Sequence, residues 1–229
     1  MAAAPVHCPS IHHLPLTRRT TGAVYAAGLV DDQGQPALGP QQIRLLERYL
    51  DLLYDENLRL NLTRVPRERA WERHVEESLS LIRLRTWSRG ELTLDLGSGG
   101  GVPGIPLAIA LPQLRILLLD RDQAKAGFLS RCLEALQLDG SEVVARDARE
   151  LGREPERPRA DVVVSRAAAP ATKLLPLVAP LLKEQGEALL LVGESVRVDQ
   201  PLLRTCARLK LSPPELIRAG SVTVLRVRR

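Results

Sequence analysis

Residues 92–107 read LTLDLGSGGGVPGIPL, a short apolar run carrying Asp95, then Gly97, Gly99, Gly100 and Gly101, then an apolar segment resuming behind Pro103. Without a Cβ these glycines let the backbone take positive φ and let a ligand approach to van der Waals contact. The apolar segment behind them predicts a helix whose first N–H groups lack intrahelical partners. The order is therefore strand, ligand-cradling loop, helix. Gly99, Gly101 and Gly104 also satisfy a literal G-x-G-x-x-G, the phosphate-cradling pattern of dinucleotide sites. Two features pull away from phosphate. Pro103 interrupts the last turn before the helix, and Asp95 would repel a pyrophosphate while suiting the cationic methionyl part of S-adenosylmethionine. The next strand, predicted at 114–120, ends in Asp120, whose carboxylate can accept both hydroxyls of a ribose. NAD and S-adenosylmethionine share that ribose, so Asp120 alone does not separate them.

The elements that must position these residues follow from hydrophobic period. Ile43, Leu46, Leu50, Leu53 and Leu58 recur at helical spacing over 41–60, with Glu47, Asp51 and Arg59 left for the wet face. A second helix is predicted over 67–84, with Thr63 and Pro66 as start signals. Beyond residue 92 strands alternate with helices: strands at 92–96, 114–120, 142–145, 161–165 and 188–192, with helices at 123–137, 171–183 and 198–209. This pattern predicts an α/β fold on a parallel sheet. A last strand at 221–227, with Leu216 and Ile217 as a short partner, closes it as an antiparallel hairpin, which is foreign to NAD folds and common among S-adenosylmethionine enzymes. In such a sheet the ligand lies beyond the strands' carboxyl ends. The glycine loop, Asp120, the segment 147–150 and Arg166 converge there.

At this point the chain resembles a known family, the bacterial 16S rRNA guanine-N7 methyltransferases of the GidB (RsmG) type, from about residue 61 to 183. The anchors are the NLT at 61–63, His74 with Glu77 and Ser78, DLGSGGGVPGIPLAI from Asp95, the LLLD ending at Asp120, Phe128-Leu129, and VSRA at 164–167. The resemblance implies a Rossmann-like class I S-adenosylmethionine-dependent methyltransferase domain at 89–229, with a central mostly parallel sheet, a C-terminal antiparallel hairpin and an N-terminal helical cap at 41–88. It implies S-adenosyl-L-methionine as cofactor and 16S rRNA, free or in the 30S particle, as partner. Cofactor contacts are then expected from Asp95, Gly97, Gly99, Val102 and Asp120. Ala148-Arg149 matches the family's backbone-contacting dipeptide near adenine. Arg166 matches its site arginine and is the candidate catalytic residue, counted also in the cofactor shell. Asn61, His74 and Ser78 are candidates to close over substrate.

Guanine N7 carries an in-plane lone pair and no proton, so its methylation needs no general base. Alignment of N7 about 3 Å from the sulfonium methyl is the catalytic requirement. Arg166 could present its fork to guanine O6 or to phosphate, whereas donation to N7 would block the chemistry. The chain departs from the family in three places. Val192-Gly193 stands where Lys-Gly is usual after the fifth strand, Arg149 replaces an acid after the third, and Arg218 with Ala219-Gly220 replaces Arg-His before the last strand.

Composition narrows the class. With 229 residues and 45% hydrophobic content the chain can bury a core. Residues 1–40, with Pro5, Pro9, Pro15, Pro36 and Pro40, lack a sustained period and are expected to form a flexible leader. Within it His7, His12 and His13 lack acid or cysteine partners at ligand spacing, so no metal is expected. Cys8, Cys132 and Cys206 form no disulfide or zinc pattern, which fits a reducing cytoplasm. No apolar run approaches the roughly 20 residues of a membrane span, and Arg18-Arg19 lacks a proper export segment. The net charge is +5. Arg204, Arg208, Lys210, Arg218, Arg226, Arg228 and Arg229 face only Glu215 in the last 26 residues, a basic end suited to RNA phosphates. A monomer is expected. Two other functions compete: the same fold methylating a small molecule or protein, and an inactive RNA-binding scaffold.

Overall fold

The computed structural model describes residues 38–166 and 169–229. Residues 1–37 of the expected leader, with its three histidines, Cys8 and Arg18-Arg19, lie outside the described residues, as does Ala167 of VSRA, whereas Leu38 is buried in the core and Pro40 opens the first helix, so the leader expected to reach residue 40 stops short of Leu38. Helix α1 spans Pro40–Leu60. A continuous helical run, α2, joins a 3-10 turn (Arg67–Arg69), a π-helical stretch (Trp71–Glu76), an α turn (Glu77–Leu79) and a second 3-10 turn (Ser80–Leu84). There follow β1 (Leu92–Leu96), α3 (Gly104–Ala110), β2 (Arg115–Asp120), α4 (Gln123–Leu136), β3 (Ser141–Ala145), α5 (Ala148–Leu151) and β4 (Ala160–Ser165). The chain ends with α6 (Ala171–Val178), β5 (Leu182–Val192), α7 (Gln200–Arg208), β6 (Glu215–Ala219) and β7 (Val222–Arg228).

The seven strands form one sheet of order β3-β2-β1-β4-β5-β7-β6. β1 to β5 run parallel, and β7 pairs antiparallel with both β5 and β6. The α/β reading, the mostly parallel sheet and the closing hairpin are borne out. The near-continuous apolar runs of β2, β4 and β5 follow from burial on both faces. Val162 and Val164 pack with α1 to α4 on one side, while Val163 packs with α6 and α7 on the other, the period-two alternation of a strand. Leu46, Tyr49, Leu50 and Leu53 of α1 are buried in the same cluster as Ile105 of α3 and Leu129 of α4, so the N-terminal helices share the sheet's core.

Three local expectations are corrected. Leu58, placed on the apolar stripe of α1, is 93% exposed. The inward register passes instead through Asn57, whose side chain clamps the backbone N–H and C=O of Thr63 at 2.8 and 3.0 Å, so the helix end is held by an amide rather than a leucine. The helix expected over 171–183 ends at Val178, a 3-10 turn covers Ala179–Leu181, and Leu182 already belongs to β5. Pro180 has no N–H to extend the helix. The carbonyls of this segment are taken by arginines: Pro180 C=O accepts from Arg157 at 2.8 Å, Leu182 C=O from Arg229 at 3.2 Å, and Ala179 C=O from Arg229 as well.

The third concerns the basic C-terminus. Arg226 is only 13% exposed and is spent inside the protein, its Nε 2.7 Å from Glu187 and its Nη2 donating to Leu84 C=O at 2.6 Å. Arg85 joins the cluster, bridging Glu187 and Glu91 at 2.9 Å each. Arg228 pairs with Glu215 at 3.2 Å and Arg218 with Glu194 at 3.0 Å. Much of the charge excess read as an RNA-binding tail thus ties β7 to β5, β6 and the end of α2. Among the described residues no helix is long and apolar enough to cross a membrane.

Candidate functional site

The loop behind β1 is held from all sides. Gly97, Gly99 and Gly101 take φ of 72°, 56° and 95°, in the left-handed region that favours glycine. The N–H groups of Gly97 and Ser98 donate to Leu119 C=O at the end of β2 (2.8 and 3.1 Å), and those of Gly101 and Val102 to Ser98 C=O (2.7 and 3.2 Å). Gly99 N–H donates to Asp120 Oδ2 at 2.8 Å, and Gly104 N–H to Asp95 Oδ2 at 3.0 Å. The helix start expected to offer unpaired N–H groups is therefore already capped by Asp95. An incoming pyrophosphate would have to break these bonds, which removes the physical basis of the dinucleotide reading of G-x-G-x-x-G. Gly104 is required for a packing reason, since a Cβ there would lie 2.3 Å from Leu118 Cδ2 and 2.7 Å from Asp95 Oδ2.

Gly97 is the opposite case. It is exposed, and a Cβ built on it would meet nothing within 4 Å, so the space above it is open to a ligand. Asp120 stands beside it, half-buried, with Oδ1 accepting Asp122 N–H at 2.9 Å. Each carboxylate oxygen holds two lone pairs, so both keep an acceptor site after bonding the loop. Asp95 is fully buried beneath the loop, so the direct cofactor contact expected of it is corrected to an influence through the loop, and its Oδ1 has no hydrogen-bond partner. Burial pushes its carboxyl up to about 7, against the Gly104 N–H that favours the charged form. Val102 is buried at the head of α3. Ala148 and Arg149 open α5, where Asp147 accepts Arg149 N–H at 2.8 Å; Ala148 is half-buried and Arg149 exposed. Open space at Gly97, a half-satisfied carboxylate at Asp120 and an orphaned buried oxygen at Asp95 fit S-adenosylmethionine, which carries a ribose and a net positive methionyl part.

Arg166 leaves the carboxyl end of β4 and reaches α2. Its Nη2 lies 2.8 Å from His74 Nδ1, its Nη1 donates to Arg73 C=O, and Nη1 is 3.6 Å from Glu77 Oε2. Glu77, 3% exposed, also pairs with Arg73. Among the three cap candidates, Asn61 is exposed at the end of α1 in a left-handed conformation (φ 50°, ψ 49°). His74 and Ser78 are fully buried, and Ser78 Oγ donates back to His74 C=O at 2.6 Å, a bond within its own helix. The expectation that His74 and Ser78 face substrate is therefore corrected, because neither reaches the surface. Sequence reasoning missed Tyr49. Fully buried on α1, it donates its hydroxyl to Gly100 C=O at 2.8 Å and anchors the loop from the far side. A tyrosine one residue before Leu50 on a leucine stripe reads as core, and only the tertiary contact reveals its polar task.

A sheet of this strand order, with its last strand reversed, a glycine loop behind β1 and an acid closing β2, defines the class I S-adenosylmethionine-dependent methyltransferase fold. A solved S-adenosylmethionine-dependent O-methyltransferase from Thermotoga maritima shares it, with a TM-score of 0.54 at 13% identity over 77% of this chain and 71% of that one. Residues 42–210 match the family model described as rRNA small subunit methyltransferase G (GidB). The protein of that name from Thermobifida fusca is 35% identical over 196 residues, 82% of this chain and 80% of its own length. The one from Sorangium cellulosum is 39% identical over 155 residues, 66% of this chain, which spans 64% of that relative's length. The chain belongs to the rRNA small subunit methyltransferase G family.

Proposed function

We propose that this chain transfers a methyl group from S-adenosylmethionine to N7 of a guanine in 16S rRNA, free or within the 30S particle, and does so as a single copy. The observation that carries the reading is the glycine loop, in which the N–H groups of Gly97, Ser98, Gly99, Gly101, Val102 and Gly104 are already bonded within the protein while the space over Gly97 stays open beside Asp120. Such a loop suits a nucleoside bearing a cation and repels a diphosphate. The bound cofactor supplies an electrophilic methyl on a sulfonium centre. Asp120 accepts the ribose hydroxyls on its remaining lone pairs. Gly97 and Gly99 let the ligand lie against backbone, Val102 packs beside it, and Ala148 and Arg149 offer backbone near the adenine. Asp95, charged when a cation lies above the loop, balances the methionyl part.

On the substrate side Arg166 retains an Nε–H with no partner among the described residues, and its side chain is 24% exposed. That N–H donates to guanine O6 or to a phosphate and leaves N7 free to attack. Asn61, exposed at the end of α1, is the cap candidate that remains for an RNA contact. No residue is required to remove a proton, so the rate rests on alignment.

Calorimetry with S-adenosylmethionine and NADH in parallel tests the cofactor, and methyl transfer to undermodified 30S subunits, naked 16S rRNA and protein tests the substrate. Binding of NADH, or methyl groups appearing on protein alone, would overturn the reading.

A further inference from the structure

Arg166 is gripped by one turn of α2, and the grip continues away from the site. A guanidinium has no acceptor and stays protonated in a protein. His74 Nδ1 must therefore accept from Arg166 Nη2 (2.8 Å), which puts the ring proton on Nε2. That N–H donates to Thr63 Oγ1 at 3.0 Å, which also accepts Val65 N–H at 3.0 Å. Thr63 is in turn clamped through its backbone by the Asn57 amide of α1. A single chain of hydrogen bonds thus runs from α1 through the α1–α2 connection to the arginine beyond β4.

The local helix geometry serves the same contact. Glu77 N–H bonds Glu72 C=O, five residues back, as in a π-helix, and the widened stretch Trp71–Glu76 carries both Arg73 C=O and His74, the two acceptors Arg166 uses. π-Helical stretches of this kind concentrate at functional sites. Burial, with Arg166 and Arg73 alongside, pushes the His74 imidazole down to about 3, so it is neutral at working pH. Full burial excludes a substrate contact for His74 itself.

We infer that His74 is a positioning residue: with its proton held on Nε2 by Thr63, it aims the Arg166 guanidinium at the target base, so that the N-terminal helices and the arginine act as one unit. This rests on the substrate role given to Arg166 above.

The test compares His74→Leu, which fills the space without polar atoms, with His74→Gln, whose carbonyl can accept from Arg166 and whose NH2 can donate to Thr63. Methyl transfer to undermodified 30S subunits, calorimetry with S-adenosylmethionine and thermal unfolding are read on both. His74→Leu is expected to lower kcat by about 10², the scale of lost alignment, with the cofactor Kd within about threefold of wild type. His74→Gln should recover most of kcat. Thr63→Val, a milder change that leaves His74 in place, should lower kcat in the same direction. Added to Arg166→Ala, His74→Leu should cost nothing further, because both act through one group. Equal kcat in the Leu and Gln variants, or losses that add in the double variant, would overturn the inference. If Arg166→Ala itself keeps full kcat, the role given to Arg166 falls. If Arg166→Ala loses activity and His74→Leu does not, only the positioning role of His74 falls.

Discussion

Asp120→Ala separates two tasks of one carboxylate. In the free protein Asp120 accepts Gly99 N–H at 2.8 Å and Asp122 N–H at 2.9 Å. The Asp122 N–H is exposed and takes water after truncation, whereas the Gly99 N–H, partly buried in the loop, loses a hydrogen bond to a charged group. Hydrogen bonds of that kind are worth about 1.5–3 kcal/mol, and less where water can replace the partner, so the free protein should lose about 1 kcal/mol of stability. Binding loses the acceptor for the ribose diol as well. A further 1.5–3 kcal/mol at about 1.4 kcal/mol per decade raises the S-adenosylmethionine Kd by about 10- to 150-fold. Calorimetry gives the Kd and urea unfolding the stability. Asp120→Asn keeps an acceptor for Gly99 N–H but presents an NH2 where the second oxygen was. It should therefore restore most of the stability while leaving the Kd raised about tenfold. Unchanged affinity in Asp120→Ala would refute the ribose assignment, and an affinity that only tracks stability across both variants would reduce Asp120 to a loop brace.

Tyr49→Phe removes only the hydroxyl bonded to Gly100 C=O and leaves a buried carbonyl unsatisfied; it should cost about 1–3 kcal/mol in urea unfolding and weaken S-adenosylmethionine binding measurably. Arg226→Gln breaks a largely buried pair that Arg85 partly compensates, so it should destabilise by about 1–3 kcal/mol and leave the salt dependence of RNA binding unchanged. A slope flattened by about one unit would return Arg226 to the RNA surface. The His74 imidazole titrates near 6.5 when unfolded and near 3 when folded. Between those values the unfolded chain binds a proton that the folded one does not, so this histidine makes stability fall on acidification by about 1.4 kcal/mol per pH unit. Asp95 and Glu76, both pushed up to about 7, act with the opposite sign as pH falls from 7. The His74 contribution is therefore read as the difference between wild type and His74→Gln, which should shrink by about that slope from pH 6 to pH 4. A constant difference would show that His74 is protonated in the fold.

What could be read in advance followed local periodicity. β1 was legible to the residue because its apolar run stops at a glycine cluster, and the hairpin β6–β7 because alternation resumes after Gly220. The run LLPLVAPLL around Pro176 and Pro180 misled, since leucines at helical spacing look alike whether they extend a helix or begin a buried strand. The arbitration came from Arg157 and Arg229, distant in sequence. The site was legible where chemistry and spacing are local, at Gly97, Asp95 and Asp120. It was not legible where partners lie far apart in the chain. Tyr49 reads as core until Gly100 is placed beside it, His74 reads as a substrate ligand until Arg166 occupies its Nδ1, and Arg226 reads as RNA-binding until Glu187 is seen on the neighbouring strand.

The central claim, methyl transfer to guanine N7 of 16S rRNA, is tested most directly by incubating the protein with labelled S-adenosylmethionine and 30S subunits from cells lacking this modification, then digesting the RNA and separating its nucleosides. The site described here predicts label in 7-methylguanosine from 16S rRNA, lost in Arg166→Ala while cofactor binding persists. Label in another nucleoside or in protein, or none despite cofactor binding, would contradict it.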